Sequence, residues 1–250
     1  MIAILRTDLM KMTKLIFLVS VIVPCMILLM GWMFFKNGSM ARIGETWENF
    51  LVQLNTLIVI FIPIAITVIC CSLSNVEHKA RAWKLLFSLP VKKSSIYFSK
   101  LFYVVFFTFM SFLILFGGIV LIGSSFLSEQ SIPFTLILKQ LFYPFLAFLS
   151  VIAFQLGFSL LVKNQAFPLI FGIFSAIFSY TFSVFPFNLE MILFWLYPSS
   201  ASPLKLVSQN GEFIKVAYTS NSWVYSVLGL IVAILLAYIS MKRLTKKDVY

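Results

Sequence analysis

The sequence predicts an all-α integral membrane protein of six transmembrane helices, with an N-terminal interfacial helix and a re-entrant hairpin between spans five and six. Three observations carry that expectation. Six uncharged apolar stretches recur at Leu15–Phe35, Asn49–Val76, Leu101–Ser128, Gln140–Val162, Asn164–Leu189 and Val216–Met241. Each is longer than the roughly 20 residues a helix needs to cross a ~30 Å hydrocarbon layer. The chain is 61% hydrophobic and only 11% charged, where soluble domains carry about a quarter charged residues. Threaded with the N-terminus inside, the inner segments hold 14 of the 19 Lys/Arg but three of the eight acids. The whole net charge of +11 therefore falls on one side. Basic connections stay cytoplasmic, so both termini are expected there.

Taken in order, residues 2–14 are patterned. Ile2, Leu5, Leu9, Met12 and Ile16 share a narrow helical arc, with Thr7, Asp8, Lys11 and Lys14 opposite. That pattern predicts an amphipathic helix lying flat in the interface; an ordinary basic flank that orients the first span is the plainer alternative. The first span, about 15–35, contains Pro24 and ends at Trp32 and Lys36. Its 21-residue apolar run lacks a small-x-small cleavage site, so it reads as a retained signal anchor. The second span, about 52–74, holds Pro63, and the fourth, about 141–162, holds Pro144. Such prolines are tolerated where neighbouring helices re-satisfy the freed carbonyls.

The third span, about 101–125, carries Gly117, Gly118 and Gly123, positions where helices can approach closely. Lys163 and Pro168 mark a tight inner turn before the fifth span, about 166–187. Met191–Leu204 is aromatic, broken by Pro198 and Pro203, and too short to cross. It is expected to form a broken hairpin dipping into the outer leaflet, followed by a polar outer loop to about Ser222. The sixth span, about 222–241, ends in the basic cluster Lys242–Lys247.

Composition narrows the function classes. A pI near 9.7 often points to nucleic acid. Here the cations cluster beside the ends of spans, which membrane lipid headgroups and topology explain better, and no nucleic-acid partner is expected. Cys25, Cys70 and Cys71 lie inside spans without metal-ligand spacing and read as small apolar fillers. No GxxxxGK[ST] run exists, so the chain has no phosphate cradle of its own. Zincin, serine-hydrolase and paired-carboxylate constellations are missing too, and the lone His78 reads as a polar surface residue. Catalytic, metal and cofactor-binding residues are therefore expected to be none.

The central parts of the spans contain no Asp, Glu, Lys, Arg or His. Ion-coupled carriers and intramembrane enzymes place ionisable groups at that depth, which argues against both. Asn55, Thr56, Thr67, Thr108, Gln155, Asn164 and Tyr180 remain, either joining helices or lining a weakly polar path.

One inner loop carries information: Glu77–Lys100, with six Lys/Arg and one Glu. Helical geometry places Glu77, Arg81, Lys84 and Ser88 in one polar stripe and Trp83, Leu85, Leu86 and Phe87 around the rest. Glu77 and Arg81 form the favourable i,i+4 acid-before-base pair, and Pro90 stops the helix. Apolar bulk on such a loop needs a cover, either the inner leaflet or a groove on a cytoplasmic subunit.

Glu77, Trp83-Lys84-Leu85-Leu86, Ser88-Leu89-Pro90 and Lys100 resemble the cytoplasmic loop of type-2 ABC exporter permeases. The lantibiotic-immunity and bacitracin-resistance subgroup is the nearest match, and the order of elements is similar along the whole chain. The resemblance implies one transmembrane domain over residues 1–250 and a dimer with the same or a different permease subunit. It also implies a separate cytoplasmic ATP-binding subunit, which binds the ATP. Residues 77–89 would be the ATPase-coupling helix, with Glu77, Arg81, Trp83, Lys84, Leu85 and Leu86 as its contact residues.

An apolar, aromatic path suits an amphipathic peptide substrate that already partitions into the membrane and slides along Phe194, Trp195 and Tyr197. The function expected is therefore removal of an antimicrobial peptide, a lantibiotic, from a bacterial cytoplasmic membrane, giving immunity or resistance. A non-transporting scaffold or sensor partner, and a permease for another amphipathic or lipid-linked substrate, remain open alternatives.

Overall fold

A computed structural model describes residues 2–37, 46–79, 93–184, 192–209 and 212–246. Its helices are α1 (Ile2–Lys11), α2 (Lys14–Asn37), α3 (Trp47–Lys79), α4 (Lys93–Phe126), α5 (Phe134–Leu161) and α6 (Ala166–Val184). A 3-10 turn at Phe194–Leu196 and the single-turn α7 (Tyr197–Ser200) follow. Strands β1 (Leu204–Gln209) and β2 (Glu212–Tyr218) then precede α8 (Ser222–Lys246).

Five of these helices, α2, α3, α4, α5 and α8, are long and apolar enough to cross a membrane. The predicted fifth span corresponds to α6, which is apolar but shorter; its expected continuation and the first arm of the predicted hairpin lie partly outside the described residues. Pro24, Pro63 and Pro144 sit within unbroken helices. Thr46 caps α3, its hydroxyl accepting from the Asn49 amide at 3.3 Å, with Glu48 in the positive first turn. Asn164 and Gln165 shape the turn before α6, where the Asn164 side chain accepts from the Ala166 amide at 3.1 Å.

The spans alternate in direction. Ser111 donates to the Ser20 carbonyl and Trp32 meets Phe126, so α2 and α4 run parallel. Thr13 bonds Ser72 at 2.9 Å, so α3 runs against α2. Tyr143 pairs with Ser226, and Gly157 faces Ser240, so α5 and α8 run parallel. One end of the bundle consequently carries Lys14, Lys100, Lys163 and Lys242; the other carries Trp47, Phe126, Tyr143 and the strands.

The core lies among α2, α3, α4 and α5, where Ile27, Leu51, Ile58, Val104, Leu115, Phe148 and Ile152 are buried. Helices α3 and α5 are the most buried of the long helices: 67% of each apolar window is buried, against 17% in α8, whose Ile234, Leu235, Tyr238 and Ile239 face outward. Such an apolar exterior is what a lipid-facing helix requires. Close packing rests on small residues. A Cβ on Gly229 would approach the Ala147 Cα to 2.6 Å, and one on Gly157 would strike the Ser240 side chain. Gly118 and Gly123 likewise seat Leu28 and Trp47, whereas Gly117 faces open space and makes no such contact.

One expectation is corrected, and one residue departs from another. The polar outer loop before Ser222 is a two-stranded antiparallel sheet, with Leu204 paired to Tyr218 and Gln209 to Glu212. The fold is thus helical with one small hairpin. At α1, Asp8 alone of the polar arc turns inward: it is buried, while Thr7, Lys11 and Lys14 are exposed and Met12 and Ile16 of the apolar arc pack on the core.

Candidate functional site

The long helices α3 and α4 hold residues 80–92 between them. Glu77 falls in the last turns of α3, but Arg81, Trp83, Lys84, Leu85 and Leu86 lie outside the described residues. What the structure defines is the root of that loop. Asp8 of α1 accepts a hydrogen bond from the Ser99 hydroxyl at 2.5 Å and pairs with Lys100 Nζ at 3.9 Å. Lys100 also donates to the Leu73 carbonyl of α3 at 3.5 Å. One buried cation thus links α1, α3 and α4 beside the two ends of the loop. A buried pair of this kind is held by its partners, because removing either leaves an uncompensated charge. Asp8 and Ser99 were not anticipated as a unit; the signal was a single acid among Arg6, Lys11 and Lys14.

At the opposite end, α3, α5, β2 and α8 line an open pocket of about 530 Å3 bordered by Glu48, Leu136, Lys139, Tyr143, Tyr218 and Trp223 among others. The Tyr218 hydroxyl donates to Glu48 at 2.9 Å, fastening the hairpin to the start of α3. Desolvation of the phenol, and then the adjoining Glu48 carboxylate, raise the Tyr218 pKa above the ordinary tyrosine value. Both an acid and a base line this pocket beside aromatic rings.

The predicted aromatic path residues are placed differently from one another. Phe194 and Trp195 are half-buried, with the Trp195 ring centred 4.8 Å from Phe154 and 5.4 Å from Phe171. Edge-on contacts at these separations are favourable. Tyr197 is buried against α5 and α8, so it faces protein and presents no surface. The Trp195 Nε1 is buried without an acceptor among the described residues.

The polar residues within the spans mostly serve the helices. Thr56, Thr67 and Thr108 return their hydroxyls to carbonyls four residues earlier. Gln155 joins helices, donating to the Pro168 carbonyl of α6 at 2.8 Å. Asn164 lies in the turn outside α6.

Residues 4–179, from α1 through most of α6, match a family described as ABC-2 family transporter protein. The chain belongs to the ABC-2 transporter family. No curated protein matches it. As an ABC-2 permease it is the multi-pass membrane component of a transporter, not a catalyst in itself. Permeases of this family act together with an ATP-binding subunit.

Proposed function

We propose that this ABC-2 permease is one subunit of an ATP-driven exporter that clears an antimicrobial peptide of the lantibiotic kind from a bacterial cytoplasmic membrane. The observation carrying the reading is the position of the loop at residues 80–92. It joins α3, one of the two most buried helices of the bundle, to α4, and its root is tied to α1 through Lys100 and Asp8. A displacement applied there reaches most of the spans.

In this reading both termini are cytoplasmic, α6 completes a sixth crossing, and the Phe194–Ser200 turn belongs to a re-entrant element in the outer leaflet. Residues 77–89 dock on a separate ATPase through Trp83, Leu85 and Leu86, with Glu77, Arg81 and Lys84 as the polar stripe. Two permease subunits, alike or different, share two ATPases. ATP-driven closure pushes the coupling helix, tilts α3 and α4, and opens a path outward past Phe194 and Trp195. Charge-free span centres suit a cargo that is already membrane-partitioned.

The test is killing of cells by a panel of lantibiotics, with and without this gene and its cognate ATPase. Peptide tolerance that needs both genes is the expected result. Equal sensitivity with and without them removes the peptide cargo from the reading.

A further inference from the structure

On the outside of the bundle, α4, α5 and α8 leave a groove of about 450 Å3 with an almost wholly hydrocarbon lining. Phe98 and Val105 contribute from α4, the buried Ala153 from α5, and Leu230, Ala237 and Met241 from α8. Between Leu230 and Met241 a helix advances about 17 Å, which is about half of a ~30 Å hydrocarbon layer. The groove is therefore one leaflet deep. It belongs to the leaflet at the basic end of the bundle, because Met241 directly precedes Lys242 and Phe98 lies two residues before Lys100.

Its mouth has a different chemistry from its wall. Tyr238 lines the groove, and Lys242 lies one turn further along the same face of α8, with Nζ 6.0 Å from the Tyr238 ring centroid. Lys242 is exposed, and among the described residues no carboxylate pairs with it. Lys246 continues that stripe by another turn. An apolar slot of leaflet length ending at exposed cations matches a molecule with a long hydrocarbon chain and an anionic head.

We propose that this groove binds an anionic glycerophospholipid. One acyl chain lies between α4 and α8, and the phosphate is held by Lys242 beside the Tyr238 hydroxyl. A second copy of the chain is a poorer occupant, because it would have to cover Lys242 and bring another cation-rich helix end against it. Burial of an unpaired cation is costly. The inference rests on the chain being a multi-pass membrane protein and is independent of its cargo.

The full chain, purified in detergent, is titrated with phosphatidylglycerol and with phosphatidylcholine bearing identical oleoyl chains, and bound lipid is counted by native mass spectrometry. Preferential retention of phosphatidylglycerol is expected, and Lys242→Gln should lower that preference about fivefold, the equivalent of roughly 1 kcal/mol for one basic residue at an anionic lipid surface. Ala237→Phe fills the groove and should reduce binding of both lipids, with circular dichroism confirming an intact helix content. Lys242→Gln changes an exposed side chain, so its result stands even if Ala237→Phe fails to fold. Equal retention of the two lipids, or an unchanged preference in Lys242→Gln, overturns the site. So does a dimer mass that Ala237→Phe abolishes, since the groove would then be an interface between copies.

Discussion

The carboxylate of Asp8 lies 3.9 Å from the ammonium of Lys100, and their side chains are only 7% and 3% exposed. They are 92 positions apart in the chain, and their meeting fixes the interfacial helix to the third long span. Asp8→Asn keeps the shape but strands the cation. Loss of stability on the order of 3–5 kcal/mol is expected, since breaking a buried pair from one side is far worse than replacing both partners. Asp8→Leu with Lys100→Met should recover most of it. Thermal unfolding in detergent decides: an unshifted midpoint for Asp8→Asn would show that the pair holds nothing.

The seam between α5 and α8 is equally sensitive, through backbone contact. Gly229→Leu forces a side chain onto the Ala147 backbone, and Gly157→Val forces one onto Ser240. Overpacking typically costs about 1–3 kcal/mol, and more where backbone must shift. Gly117→Ala is the control, because nothing lies within 4 Å of a Cβ there. Equal melting of Gly229→Leu and Gly117→Ala would contradict this packing.

Docking of the hairpin is linked to high pH. The Tyr218 proton is held more tightly than in a free phenol, first by desolvation and then by Glu48. Its contribution is complete below the ordinary tyrosine value of about 10 and disappears as pH rises through the elevated value. A difference titration at 295 nm between wild type and Tyr218→Phe should reveal one phenol ionising above pH 10. A missing phenol that titrates at or below 10 would rule out the coupling.

The lever at residues 77–89 is tested by removing its apolar anchors. Trp83→Ala combined with Leu86→Ala should leave the permease expressed and inserted but unable to retain the cognate ATPase on affinity purification. Recovery of the ATPase at wild-type yield would refute the docking role.

The long spans were legible because lipid imposes one rule on every backbone group, and uninterrupted apolar runs satisfy it by forming helices. Gly118 and Gly123 were readable as points of close approach, whereas Gly157 and Gly229 lie in helices where isolated glycines give no pattern. The hairpin is absent from the span pattern, although Asn210-Gly211 stands between Leu204–Gln209 and Glu212–Tyr218. That dipeptide between alternating runs is a strong short-range hairpin signal. The polar residues around it give the segment the look of an ordinary connection between spans. In α1, hydrophobic periodicity was sound as a helix signal but did not single out Asp8 from the rest of its polar arc. Ser99 and Lys100 supply a polar seat that no one-dimensional pattern displays, so Asp8 turns inward and Leu9 outward.

The Ala147–Gly229 approach leaves no slack between the fourth and last long helices. These two travel as one plank. Rocking of the bundle must then occur along other boundaries. The boundaries of α6 are a different kind of joint, with Thr67 of α3 seated over Gly172 and Gln155 of α5 reaching across to the Pro168 carbonyl. A polar side chain can exchange one carbonyl for another as it slides, whereas interlocked backbones cannot.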